Sequence, residues 1–377
     1  MLETMLRSVR EANVTNKRVL LRTSLNVPLG PDGSVEDVYR LQSDVATIEL
    51  LATLKAKIIL IGYIGREGGT LAPVAKALQA VLPNIQVVFT SAPLERVHED
   101  IELLEPGHCL MLENIRQHPG EEKNDPELAQ QLASLADVFV DDAFAEAHRA
   151  YASNVGVATL LPSYAGLLME EEVEHLHEAL VPLKGSLAIV GGAKFETKLP
   201  LLKKLLGLYE EVLVGGALAN DLLKARGRSV GMSLVSDYAV PKELVEEVRL
   251  LAPEDVRIEE GIPEGVLVDS VGEKEKIIDI GAITEKKWAE KIAGASFVLW
   301  NGPMGVYEKG DVLGTDALAE ALVKATCKAV IGGGDTAAAL AQFTFDPSRI
   351  FVSTGGGAML EFLTNGGSMP AIEVLEK

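Results

Sequence analysis

Two glycine-rich segments hold the residues best suited to chemistry, and each follows an apolar run of strand type and opens a helical pattern. The first reads Gly191-Gly192-Ala193-Lys194-Phe195-Glu196-Thr197-Lys198, the second Gly332-Gly333-Gly334-Asp335-Thr336. Glycine lets backbone N–H groups approach phosphate oxygens, and a helix N-terminus adds partial positive charge. Lys194 and Lys198, four apart, share one helical face, so both ammonium groups can reach one polyphosphate. Asp335 beside such a cradle would repel an anion unless Mg²⁺ stood between them. Taken singly, each cluster could be a tight turn; two with these polar residues point to a phosphate site. There is no Gly-Lys dipeptide and no GxGxxG, which excludes a Walker A loop and argues against a dinucleotide fold. Trp300-Asn301-Gly302-Pro303-Met304-Gly305-Val306-Tyr307-Glu308 must form a loop, where Glu308 could accept from ribose hydroxyls. Val214-Gly215-Gly216-Ala217 ends another strand with backbone bare enough for a flat base.

These groups need sheets to hold them. Apolar strand-type runs alternate with helix-period segments along the chain, the pattern of an α/β fold. Strands are expected at Val19–Leu21, Ile58–Ile61, Val87–Phe89, Cys109–Leu112 and Val138–Val140, with helices at Leu41–Leu54 and Pro126–Leu135. A second set falls at Leu187–Val190, Val212–Val214, Phe297–Trp300, Ala329–Ile331 and Ile350–Val352. A Pro-bounded loop at Leu161-Pro162-Ser163 leads into an acidic helix around Met169–Leu180 that reads as a hinge element. At 377 residues the chain suits two domains, and 47% apolar with only 5% aromatic content suits aliphatic parallel sheets under helices. The expected division is 1–165, with the tail 366–377 packing back on it, then a hinge helix at 166–184 and a second domain at 185–365.

The net charge of −20 argues against a nucleic-acid or anionic-membrane binder, and an anionic substrate would need a local Arg and Lys cluster. Cys109 and Cys327 lie far apart in apolar contexts, without zinc spacing, and read as buried thiols. No apolar run suits a signal peptide or membrane span, and a reducing cytoplasm is the expected location.

The motifs together resemble the phosphoglycerate kinase family. GGAK-x-x-x-K, WNGPMGVYE, GGGDT and Ser353-Thr354-Gly355-Gly356-Gly357-Ala358 occur in that family's order, after LENIRQHPGEE from Leu112 and Ala147-His148-Arg149-Ala150. The match spans nearly the whole chain. It implies two doubly wound, Rossmann-like parallel-sheet domains joined by a hinge, the first holding the acceptor and the second the nucleotide. It also implies phosphoryl transfer between ATP/ADP and the carboxylate of 3-phosphoglycerate, with Mg²⁺, in a monomer. By the resemblance Lys198 contacts nucleotide phosphates, Lys194 the phosphoryl group in flight, and Asp335 the Mg²⁺. Gly333, Gly334 and Thr336 surround the phosphates, Glu308 binds ribose, Gly215 and Gly216 flank the base, and Asn301 and Pro303 shape the site. Gly356 and Gly357 offer backbone donors near the transferring group.

The acceptor carries about three negative charges, and Arg22, Arg40, Arg66, Arg116 and Arg149 match the positions of the family's basic patch. Each lies near the end of a successive strand, the edge where parallel sheets bind ligands, and the planar guanidinium suits carboxylate and phosphate. A carboxylate acceptor is already ionised at pH 7, its pKa being about 4, so no general base is required. Arg40 and Lys194, from opposite domains, with Gly357, are the expected catalytic groups, brought together by closure.

Three segments depart from the family pattern. Where it reads Arg-x-Asp-[Phe/Leu]-Asn-Val-Pro, this chain has Arg22-Thr23-Ser24-Leu25-Asn26-Val27-Pro28, so the Asp that orients the acceptor's hydroxyl is Ser24. A substrate-facing His is Tyr63. The segment Asn-Asp-Ala-Phe-Gly-Thr-Ala-His-Arg becomes Asp141-Asp142-Ala143-Phe144-Ala145-Glu146-Ala147-His148-Arg149, and Glu146 adds a carboxylate near a pocket meant for anions. Ser24, Asn26 and Tyr63 remain acceptor-site candidates. Two alternatives stay open: an enzyme with another, or a weakly bound, acceptor, and a nucleotide-binding protein without turnover.

Overall fold

The computed structural model describes residues 6–36, 38–65, 68–193 and 195–377, with the side chains of 38–40 left aside. Lys194 and Arg66 therefore lie outside the described residues, as does the side chain of Arg40. The chain divides into two compact units, residues 1–174 with 368–377, and residues 175–367.

In the first unit the strands are β1 (Arg18–Arg22), β2 (Lys57–Ile61), β3 (Val87–Phe89), β4 (Cys109–Met111), β5 (Val138–Asp141) and β6 (Ser163–Ala165). Their order across the sheet is β3-β4-β2-β1-β5-β6, every pairing parallel. Helices α1 (Val38–Thr53), α2 (Ala72–Val81), α3 (His98–Leu103) and α4 (Pro126–Ser134) cross over between strands, and α5 (Leu167–Leu180) follows β6. Alternation along the strands sends side chains to opposite faces. Val19, Leu21, Ile58 and Leu60 pack into one core, while Leu20, Ile59, Leu110 and Phe139 pack into another. A sheet buried on both faces requires strands apolar throughout, which is why they read as runs. Ser163, expected at the end of a loop, opens the edge strand β6; its hydroxyl donates to the Leu161 and Ala158 carbonyls.

The second unit begins within α5 and contains β7 (Leu187–Val190), β8 (Glu211–Val214), β9 (Leu250–Leu251), β10 (Asp255–Ile258), β11 (Val266–Leu267), β12 (Ile277–Ile280), β13 (Phe297–Asn301), β14 (Lys328–Gly332) and β15 (Ile350–Val352). Its main sheet is again parallel, in the order β15-β14-β13-β7-β8-β9. Strands β11-β10-β12 form a separate antiparallel sheet that the sequence reading did not contain. Its helices are α6 (Phe195–Leu208), α7 (Gly216–Ala225), α8 (Lys242–Val245), α9 (Ala282–Gly294), α10 (Leu313–Lys324), α11 (Gly334–Ala339) and α12 (Gly356–Thr364). Cys109 and Cys327 are both buried as free thiols.

After α12 the chain returns to the first unit through α13 (Pro370–Glu373). The Ala371 N–H donates to the Ala147 carbonyl at 3.1 Å, the Arg7 N–H donates to Leu375 O at 2.9 Å, and Leu6 pairs antiparallel with Glu376. Gly367, where the second unit ends, lies against His177 and Leu180 near where it begins. No described helix is long and apolar enough to cross a membrane.

Candidate functional site

In the second unit the polar groups gather at the carboxyl ends of five adjacent strands, the edge at which open parallel sheets bind ligands. The loops there are stitched backbone to backbone. Gly191 N–H donates to Asn301 O at 2.8 Å, Gly216 N–H to Met304 O at 3.0 Å, and Leu218 N–H to Gly192 O at 3.1 Å. Only glycine permits this spacing: a Cβ on Gly191 would stand 2.1 Å from Pro303 O, and one on Gly356 would stand 2.7 Å from Gly333 Cα. Gly333, at φ +107°, also takes a backbone conformation that glycine supplies without strain. Gly357 sits exposed in the first turn of α12, with open space where a side chain would go.

Asn301 is the hub behind this surface. Its Nδ2 donates to Gly332 O at 2.8 Å, and its Oδ1 accepts from Lys198 Nζ. Thr336 Oγ1 accepts from Gly302 N–H at 2.7 Å and donates to Gly332 O at 2.9 Å. Burial pulls the Lys198 ammonium down to about 8, against a smaller upward pull from Asp335. Asp335 is exposed, and its Oδ1 accepts from Tyr307 Oη at 3.1 Å.

Beside these loops lies a cavity of about 270 Å³, walled by Leu234, Val256, Ile278, Pro303, Met304 and Val306, with Glu308 and Asp335 among its polar lining. Gly216 lines the cavity, but Gly215 does not: the space of its missing Cβ is taken by Met304, whose Sδ would lie 2.4 Å away. Asn301 is buried and outside the lining, holding Lys198 and the Gly332 loop. The wall from Ile277 to Ile280 comes from the antiparallel sheet and was missed, because nothing in a short aliphatic run signals a ligand. Asp279, in that wall, is pushed up to about 7 by burial despite accepting from Gly314 and Ile280 N–H groups.

The first unit has its own polar cluster, again at the carboxyl ends of neighbouring strands. Ser24 and Asn26 follow β1, Tyr63 follows β2, Arg116 follows β4 and Glu146 follows β5. Glu146 is buried; its Oε2 accepts from Ser24 Oγ at 3.0 Å and its Oε1 from Tyr63 Oη at 3.1 Å. Arg116 stacks over the Tyr63 ring, with Cζ 3.6 Å from the centroid, and its Nη1 donates to Gly65 O at 3.2 Å. Asn26 Oδ1 accepts from Gly65 N–H at 3.0 Å. Burial, reinforced by Glu146, raises the Tyr63 phenol to about 12, so it stays a donor.

Arg22 is enclosed by the unit. Only 1% exposed, it donates through Nε to Ser153 Oγ at 2.9 Å and lies 3.6 Å from Glu146 and 3.9 Å from Asp141, its register partner. Arg149 is exposed and donates to His148 Nε2 at 3.1 Å. Asp44, Glu121, Asp141 and Asp142 are also buried in this unit, and burial raises each of them. Asp141 reaches about 6 and Asp142 about 7.

Glycine loops in backbone contact at the carboxyl edge of a parallel sheet, a lysine drawn into them and an apolar cavity alongside define an α/β protein of the class that seats its ligand beyond the strand ends. Comparison with known proteins narrows this. The family model described as phosphoglycerate kinase matches residues 9–366. The phosphoglycerate kinase of Pseudothermotoga lettingae is 40% identical, with 97% of both chains covered. That of Thermus thermophilus is 41% identical over 98% of this chain and all of the other. The structure of phosphoglycerate kinase from Coxiella burnetii superposes with a TM-score of 0.83 at 38% identity, covering 98% of each chain. The crystal structure of the Pyrococcus horikoshii protein gives 0.84 at 28% identity, with the same coverage. The chain belongs to the phosphoglycerate kinase family.

Proposed function

We propose that the chain transfers a phosphoryl group reversibly between ATP and the carboxylate of 3-phosphoglycerate, giving ADP and 1,3-bisphosphoglycerate. The observation that carries this reading is the Lys198–Asn301–Gly332–Thr336 network set beside an apolar cavity, in a chain matched to the family over residues 9–366. The aliphatic walls suit a flat base, and Glu308 at the rim suits ribose hydroxyls. Lys198, Gly333, Gly334, Gly356 and Gly357 offer donors to phosphate oxygens, α12 contributing its N-terminal dipole. The first unit is the acceptor unit, with Asn26, Arg116 and Arg149 as its candidate anion contacts and Arg22 behind them as support.

The residues present fit Mg²⁺ bound with a nucleotide. Among the described residues no group of three or more His, Cys, Asp or Glu side chains is arranged to hold a metal ion by itself. One exposed carboxylate, Asp335, beside a phosphate cradle is the pattern by which Mg²⁺ is shared between protein and phosphate. The ion would supply charge neutralisation on the phosphate oxygens. The acceptor carboxylate arrives ionised, so the protein's work is alignment and charge stabilisation, with Arg40 and Lys194 proposed for the transferring oxygens. Location in the cytoplasm and action as a monomer belong to the same proposal.

Coupled turnover with ATP and 3-phosphoglycerate tests it: the chain should turn over, and Arg40→Ala or Lys194→Ala should each lower kcat by about 100-fold or more. Nucleotide binding without turnover of 3-phosphoglycerate would refute it. One observation favours a second reading, a different acceptor: the Glu146 carboxylate stands inside the first unit's cluster, and an acceptor screen would separate the two.

A further inference from the structure

Three of the residues that depart from the family pattern meet in space. Ser24, Tyr63 and Glu146 sit on loops after three different strands, yet both hydroxyls donate to the one carboxylate. The separation of 3.0 Å between Ser24 Oγ and Glu146 Oε2 means that a carboxylate at position 24 would face the one at 146. Two like charges in so buried a place are unfavourable. Ser24 therefore accommodates Glu146, and Glu146 returns to the cluster the negative group that position 24 lacks. The longer glutamate is anchored from below: Arg22 Nη1 lies 3.6 Å from Oε2, and Tyr63 is itself held flat under Arg116. Each carboxylate oxygen has two acceptor sites. Among the described residues Oε1 receives one donor, Tyr63, leaving it capacity for another.

We propose that Glu146 is a specificity-determining residue of the acceptor site, its carboxylate, braced by Ser24 and Tyr63, accepting a hydrogen bond from the hydroxyl next to the acceptor's carboxylate. This rests on the proposed function above. A carboxylate on the β5 loop would thus do the work of one on the β1 loop, and these three departures form one coupled unit.

The experiment compares kcat/KM for 3-phosphoglycerate with that for 3-phosphooxypropionate, the same acceptor without the hydroxyl. Wild type should prefer the hydroxy acid by about tenfold or more, the range of a hydrogen bond to a charged group. Glu146→Gln should cut that preference to within about threefold while leaving the KM for ATP in place. Should Glu146→Gln fail to fold, the pair Ser24→Asp with Glu146→Thr provides the second arm. Ser24→Asp alone should lower acceptor kcat/KM by about tenfold through opposed carboxylates, and adding Glu146→Thr should restore both rate and preference. A wild type that turns over 3-phosphoglycerate but shows no preference, a preference intact in Glu146→Gln, or additive effects in the pair would overturn the inference alone. A wild type with no turnover of 3-phosphoglycerate would instead overturn the function on which it rests.

Discussion

Lys198 offers the most exacting check on the second unit. Burial holds its ammonium near 8 while Asn301 Oδ1 accepts a hydrogen bond from it, and Asp335 pulls in the opposite direction. A phosphate placed against Lys198 favours the charged form, so the nucleotide should select protonated lysine. With a free-protein value of about 8, roughly 90% of Lys198 is charged at pH 7 and about 10% at pH 9. Apparent affinity scales with the competent fraction, so the Kd for ADP should rise about tenfold across that interval, with proton uptake approaching one per ADP at pH 9. Calorimetry in buffers of differing ionisation enthalpy measures both quantities. Lys198→Met should weaken binding at pH 7 and flatten the pH dependence. Asp335→Asn removes the upward pull, so its midpoint should fall below that of wild type. A Kd unchanged between pH 7 and 9, or an equal slope in Lys198→Met, would refute the reasoning.

Three other outcomes follow from the described geometry. Asp142 binds its proton more tightly when folded, at about 7, so its contribution to stability is full below about pH 4 and is lost as pH rises through 7. Asp142→Asn should therefore remove on the order of 2–4 kcal/mol of pH dependence from urea unfolding between pH 4.5 and 8, relative to wild type. Gly191→Ala forces a Cβ to within 2.1 Å of the Pro303 carbonyl, which cannot yield without opening the Gly302 turn. A loss of about 2–4 kcal/mol in thermal unfolding, with weakened nucleotide binding, is expected. Arg116→Lys keeps the charge but loses the planar stack on Tyr63; acceptor KM should rise about tenfold with ATP KM unchanged, as initial rates at saturating partner substrate will report.

The two parallel sheets were legible because buried strands such as Ile58–Ile61 and Leu187–Val190 must be apolar on both faces, and the run itself is the signal. The antiparallel sheet was not, because Asp255, Arg257 and Asp279 interrupt its apolar pattern. Their partners, the α9 N–H groups, Glu285 and the Gly314 N–H, are non-local and have no sequence signature. Residue type also gave no access to burial. Arg22 reads like any strand-end arginine, yet Asp141 and Glu146 enclose it. Ser24, Tyr63 and Glu146 stood out as three separate oddities, and only their distances make them one.

The return of residues 368–377 to the first unit has a consequence for how the molecule reaches its native state. The pairing of Leu6 with Glu376 closes a loop of nearly the whole chain, an entropic burden on a disordered polypeptide. Once residues 175–367 have folded, Gly367 is seated against His177, and the chain leaves that unit beside the place it came in. The long loop then behaves as a short one. With residues 175–367 folded, the loop that residues 368–377 must close on the first unit is therefore far shorter than its sequence separation.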